Sequence, residues 1–180
     1  TEERGLVNYR TTADCMPHLL DEKNVKMLTE QKVFTPAELN SRMEIMLDNY
    51  CKTITIEGNT LVDMVRKDIL PSIEMYQSKV AETASLKKQV DSKISIDYEK
   101  NIMNKLSSLN DIIFAGVDTL EKVLEEEQAI DDIVEQGYAI RDKVLPTMEE
   151  LREACDEAEM IVAKEYWPYP SYGEMLFGVK

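Results

Sequence analysis

The chain has 180 residues, 35 acidic against 21 basic side chains and 43% hydrophobic residues, which is enough to bury a core without disulfides or a structural metal. A net charge of −14 and a pI near 4.5 disfavour phosphate backbones and anionic lipid surfaces, so neither nucleic acid nor membrane is expected as a partner. Glycine and proline number only six each, and the abundance of Leu, Glu, Lys, Met, Asp and Ile points to helix.

The segment 1–34 is mixed, with short helices expected around Thr12–Leu20 and Asn24–Gln31. A strong helix start follows at Phe34-Thr35-Pro36-Ala37-Glu38-Leu39. There Thr35 can cap, Pro36 suits the first helical position, Glu38 can reach back to the Thr35 amide, and Phe34 and Leu39 occupy the staple positions. Leu39, Met43, Met46, Tyr50, Ile54, Leu61, Val65, Ile69, Ile73, Tyr76 and Val80 then recur at helical spacing. An unbroken element to about Gln89 would run roughly 80 Å at about 1.5 Å per residue. A second stripe starts near Ser95 and takes Ile102, Leu106, Leu109, Ile113, Val117, Leu120 and Leu124. The turn after it is placed at Glu125-Glu126-Glu127-Gln128, although neither Gly nor Pro marks it. From about Ala129 a third stripe takes Ile130, Val134, Tyr138, Val144, Met148, Leu151, Cys155, Ala158 and Val162, with a six-residue step after Tyr138.

These stripes predict an all-α fold: an elongated antiparallel three-helix bundle over 35–164, preceded by the mixed segment, the whole forming a single helical domain. Two similar strings, Arg66-Lys67-Asp68-Ile69-Leu70-Pro71-Ser72-Ile73-Glu74 and Arg141-Asp142-Lys143-Val144-Leu145-Pro146-Thr147-Met148-Glu149, put a proline inside an apolar stripe. An interior proline removes a backbone hydrogen bond, so a kink is expected near each, unless the prolines simply end helices. The ten methionines lie largely on the stripes and read as core filling.

An extended tail over 165–180 is expected, because Pro168 and Pro170 interrupt helix. Five of the chain's aromatics, Tyr166, Trp167, Tyr169, Tyr172 and Phe177, fall there, and so apolar a tail should be docked. These five are the candidate docking residues, either as a latch on the chain's own bundle or as a contact to another domain or subunit. The window Asp118–Met160 holds 15 acidic and 4 basic residues; it reads as a solvated helix face or as a docking surface for a basic partner.

Chemistry-bearing motifs are sparse. His18 is the sole histidine, and nothing in the sequence places a serine or cysteine beside it as a nucleophile. Glu-x-x-His pairs do not occur, and Glu149, Glu150, Glu153, Asp156 and Glu157 fall between apolar positions, facing outward rather than into a bundle metal site. Gly58, Gly116 and Gly137 are isolated, so no phosphate-binding loop is present. The sequence therefore predicts no catalytic, cofactor-binding or metal residues in this segment. Cys15, Cys51 and Cys155 form no C-x-x-C and suit a reducing cytoplasm. No stretch is long and apolar enough for a membrane span. The chain opens at Thr1 without Met, which raises the expectation of a fragment.

Four strings carry a resemblance: Tyr9-Arg10-Thr11-Thr12-Ala13-Asp14; Val33-Phe34-Thr35 through Glu38-Leu39-Asn40-Ser41-Arg42-Met43-Glu44-Ile45; Tyr50-Cys51-Lys52-Thr53-Ile54-Thr55-Ile56-Glu57; and Ala163-Lys164-Glu165-Tyr166-Trp167-Pro168-Tyr169-Pro170-Ser171-Tyr172-Gly173-Glu174-Met175-Leu176-Phe177. Together they resemble the C-terminal region of type III glutamine synthetases. That resemblance implies a fragment of a homo-oligomeric ligase that joins ammonia to glutamate with ATP and Mg or Mn. The catalytic motifs would lie upstream of Thr1, and this segment would support domain packing or oligomer assembly. Its partners would be the upstream catalytic domain and other subunits. The competing expectation is a stand-alone helical adaptor or scaffold, with an independent metalloenzyme a distant third.

Overall fold

The structure is a computed structural model that describes residues 2–5 and 7–178, with only the backbone described for Glu2 and Tyr172. It is all-α, with no strand among the described residues. In chain order the helices are α1 (Thr12–Cys15), α2 (Glu22–Glu30), α3 (Pro36–Met64), α4 (Leu70–Val90), α5 (Asp97–Gln128), α6 (Ile133–Ala139), α7 (Leu145–Glu159) and α8 (Tyr172–Phe177). Single 3-10 turns occupy Glu2–Arg4 and Met16–Leu20. One π-helical turn, Val65–Ile69, joins α3 to α4, and another, Ile140–Val144, joins α6 to α7.

The long helices begin where their caps dictate. At α3 the Thr35 N–H and hydroxyl donate to Glu38 Oε2 (2.7 and 2.9 Å) while Glu38 N–H donates back to Thr35 Oγ1 (3.3 Å), the reciprocal capping predicted from the sequence. Beside it the Arg42 guanidinium lies 4.5 Å from the centroid of the Phe34 ring. At α5, Ser95 Oγ accepts from Asp97 N–H (3.2 Å). The expected turn at 125–128 is displaced. α5 continues to Gln128, and the new helix starts at Asp132, whose Oδ1 accepts from Val134 and Glu135 N–H, each at 3.0 Å. The displacement has a cause within α5: Glu127 is buried, not part of a solvated turn. Its Oε1 accepts from the Thr55 hydroxyl (2.7 Å) and its Oε2 from Gln136 Nε2 (2.8 Å), which holds the last turn helical.

Where a kink or a helix end is expected at each proline string, the structure has a widened hydrogen-bond ladder. Leu70 N–H donates to Val65 O and Leu145 N–H to Ile140 O, five residues back. Pro71 and Pro146 lack the N–H that an α-helix would direct at the carbonyls of Lys67 and Asp142. A π turn just before each proline shifts those carbonyls out of register. The Ser72 hydroxyl donates to Ile69 O (2.9 Å), and the Thr147 hydroxyl to Lys143 O (2.8 Å).

The chain groups into two compact units, residues 1–59 with 121–147 and residues 60–120 with 148–180. In the first, Ala13, Leu39, Met43, Leu47, Cys51, Leu124, Ile140 and Val144 are buried. Gly137 admits close packing: a methyl group there would lie 3.4 Å from Ala13 Cβ and 3.5 Å from Leu47 Cδ2. In the second, Val62, Val65, Ile69, Ile73 and Val80 are buried, with Ile102, Leu106, Leu109, Ile113, Val117 and Leu120 of α5 and Leu151, Ala154, Cys155, Ala158 and Val162. Every residue of the predicted second stripe is buried.

The predicted first stripe needs correction. Met46 is half exposed, whereas Leu47, Cys51 and Val62 are buried in its place and that of its neighbours. Steps of three and four are both helical, and only packing chose between them. In the third stripe the six-residue step is the signature of the π turn, which buries Ile140 as well as Val144. The core-filling reading of methionine also fails for half of the ten. Met43 is buried, but Met27, Met46, Met75, Met160 and Met175 are exposed.

Candidate docking site on the C-terminal segment

The tail belongs to the second unit. After α7 the backbone turns through Ala163–Trp167, where Tyr166 N–H donates to Ala163 O (2.8 Å) and Trp167 N–H to Lys164 O (3.3 Å). The segment is then extended only as far as Ser171, not to the end of the chain as predicted, because Ser171 starts a helix. The Ser171 N–H and hydroxyl donate to Glu174 Oε2, each at 2.9 Å, and Glu174 N–H donates to Ser171 Oγ (3.4 Å). This Ser-x-x-Glu box was legible in the sequence and outweighs the two preceding prolines. Lys164 Nζ lies 2.9 Å from Glu174 Oε1. With the Ser171 bonds, this ion pair draws the Glu174 carboxyl down to about 2.

The five candidate docking residues divide. Tyr166 and Tyr169 are half-buried on their own unit. The Tyr166 ring meets Tyr76 of α4 at 5.5 Å between centroids, tilted by 45°, a favourable aromatic geometry. The Tyr169 hydroxyl donates to Asp68 Oδ2 (2.9 Å), reaching the π turn. Burial, then the bond to that carboxylate, pushes the phenol up to about 12. Trp167 is half-buried. Phe177 is 81% exposed, and the side chain of Tyr172 lies outside the described residues. The sequence reading missed Met175 and Leu176, 60% and 72% exposed on α8, which join Phe177 in an outward apolar run.

Next to the latch, Pro71, Glu74, Met75, Ser78, Lys79, Glu82 and Tyr166 line an open groove of about 720 Å³. Its one ammonium is paired with a carboxylate, Lys79 Nζ to Glu82 Oε2 at 2.9 Å. The residues searched for catalytic chemistry are dispersed. His18 Nδ1 lies 3.1 Å from Asp21 Oδ2, and its ring stacks on Tyr9 at 4.4 Å. Cys51 and Cys155 are buried, which raises their thiols to about 11 and about 12, so neither is a thiolate at neutral pH. Glu149, Glu150, Glu153, Asp156 and Glu157 are exposed.

Arg141 is held from two sides. Its Nη1 donates to Asp14 Oδ1 (2.6 Å), Nε and Nη2 donate to the Asp142 carboxylate (2.6 and 2.7 Å), and the guanidinium lies over the Tyr138 ring. Both its donor edges are spent inside the unit, so it fastens α1 to the π turn instead of presenting charge to a substrate. Among the described residues no group of three or more His, Cys, Asp or Glu side chains could hold a metal ion, and no helix is long and apolar enough to cross a membrane.

Fold and site thus define a helical module whose C-terminal segment is fastened at its start and outward-facing at its end. The glutamine synthetase C-terminal domain family matches residues 1–88, and over nearly its full length the chain is similar to glutamine synthetases. It is 30% identical over 178 residues to the glutamine synthetase of Butyrivibrio fibrisolvens, covering 99% of this chain and 25% of that protein. It is 32% identical over 180 residues to the type-3 glutamine synthetase of Dictyostelium discoideum, covering 98% of this chain and 24% of that protein. With the glutamine synthetase of Bacteroides fragilis (strain YCH46) the identity is 27% over 182 residues, 97% of this chain and 24% of that protein. Residues 1–88 belong to the glutamine synthetase C-terminal domain family, and the chain spans about a quarter of the length of these relatives.

Proposed function

We propose that this chain is the non-catalytic C-terminal helical domain of a type III glutamine synthetase, a structural module for domain packing and oligomer assembly. The observation that carries the reading is the lopsided coverage: 97–99% of this chain aligns with only 24–25% of each relative. The type III assignment leans on the relative named type-3 and on the tail motif. In this reading the ATP-dependent ligation of ammonia to glutamate, with its Mg or Mn, takes place on the part of a cytoplasmic homo-oligomeric enzyme that precedes residue 1. The dispersed titratable groups here are consistent with that division of labour.

Sequencing the reading frame upstream of Thr1 tests the proposal. It requires a synthetase catalytic domain in frame. A start codon close to Thr1 would overturn it in favour of a stand-alone helical adaptor. In the full-length enzyme, truncation after Lys164 should reduce assembly or solubility; unchanged assembly would make the tail a private latch and remove its share of the proposed role.

A further inference from the structure

The C-terminal segment holds two oppositely directed surfaces within a few residues. Tyr166 and Tyr169 turn inward, onto Tyr76 and Asp68. Three residues beyond Tyr169 begins a six-residue helix whose last three residues, Met175, Leu176 and Phe177, are 60%, 72% and 81% exposed. Helices this short are unstable alone, because one turn fixes several dihedrals for few hydrogen bonds; most owe their stability to a buried face. Among the described side chains of α8, Glu174 to Phe177, all are exposed. The helix is held at its start by the Ser171–Glu174 box and by Lys164, so its geometry is ordered while its apolar run stays in water. Three consecutive helical positions also span about 200° of the helix circumference at about 100° per residue, so a flat surface could not cover all three. The matching occupant is a recess with apolar walls.

We infer that α8 is a plug, with Phe177 its deepest residue, that seats in an apolar recess on the polypeptide preceding Thr1, while Tyr166 and Tyr169 set the position from which it projects. This rests on the reading of the chain as the C-terminal domain of a longer synthetase. The relatives say why the occupant is the preceding chain: the matched quarter includes nearly all of this sequence, and about three quarters of each relative lies outside the match. Exposed runs of large apolar residues mark interaction surfaces, and Phe and Met are enriched at interface cores.

The test uses the full-length enzyme with a photoreactive phenylalanine analogue in place of Phe177. Cross-linked peptides are mapped by mass spectrometry and assembly is followed by sedimentation velocity. The expected result is cross-links to peptides upstream of Thr1. The triple variant M175S/L176S/F177S, with its Tyr166 and Tyr169 latch intact, should weaken assembly of the full-length enzyme about tenfold or more, the scale set by loss of one buried aromatic anchor. Cross-links confined to this helical domain, in the same copy or another, or an unchanged sedimentation profile for the triple variant, would overturn the inference. A synthetase-free upstream frame would instead remove the reading beneath it, a result the sequencing gives independently.

Discussion

The two proline strings are the same local device in different surroundings. Val65–Ile69 before Pro71 and Ile140–Val144 before Pro146 are both π turns, offset by an equal step in the chain and closed by equivalent bonds, Leu70 to Val65 and Leu145 to Ile140. After the proline they diverge. Past Pro71, Ser72 and Ile73 are buried, whereas their counterparts past Pro146, Thr147 and Met148, are half-exposed. At the arginine the order is reversed. Arg141 grips Asp14 and Asp142 and covers Tyr138, while Arg66 Nη2 meets Asp118 Oδ1 (2.9 Å) in an exposed pair. Equivalent backbone thus supports two kinds of anchorage, apolar burial in one unit and a charged clamp in the other.

The contrast should be clearest at the position two residues past each proline. Ile73→Ala removes a fully buried side chain and should cost about 2–5 kcal/mol, whereas Met148→Ala, half-exposed, should cost about 1–2 kcal/mol. Chemical denaturation of each variant measures both, and equal costs would erase the distinction. The clamp comes next: Arg141→Met should lower the melting temperature more than Arg66→Met does.

Its pH dependence sharpens the point. The Arg141 guanidinium, through its hydrogen bonds, holds the Asp14 and Asp142 carboxyls below their ordinary value of 3.8. A depressed carboxyl contributes fully above its unfolded value and loses that contribution as pH falls through the folded one. The wild-type advantage over Arg141→Met should therefore be full at pH 7 and shrink below about pH 3.8.

A smaller effect is expected where the tail meets the first π turn. Tyr169→Phe removes the hydroxyl that donates to Asp68 and should cost about 0.5–1.5 kcal/mol, with faster hydrogen exchange confined to the tail. Smallest are Pro71→Ala and Pro146→Ala, each expected within about 1 kcal/mol of wild type. The flanking residues Val65, Ile69, Ile140 and Val144 are buried, so the turns should survive without the prolines. A crystal structure in which either variant relaxes to regular α-helix would make the proline, not the packing, the cause of the turn.

How far the sequence could be read depended on whether a signal was local. The Thr35-x-x-Glu38 box, the stripe Ile102 to Leu124 and the disturbance at both prolines stood in the sequence because caps, periodicity and a missing N–H act within a few residues. Ser171-x-x-Glu174 and Asp132-x-x-Glu135 carry the same kind of signal, but the prolines before one and the acidic run before the other mask it. The docking residues were recognised as a group, but their division into an inward latch and an outward plug was not legible, since Tyr169 finds Asp68 only when chain segments 101 positions apart meet.

The sequence by itself determined an all-α chain, the starts of its long helices, most of the buried face of α5 and the resemblance that led to its family. Tertiary structure decided that Leu47, not Met46, is buried, that Glu127 turns inward to Thr55 and Gln136, and that a proline is met by a π turn. The physical reason is reach. Hydrogen-bond caps and helical periods are written in neighbouring residues, whereas a choice between adjacent positions on a helix is made by whatever packs against it.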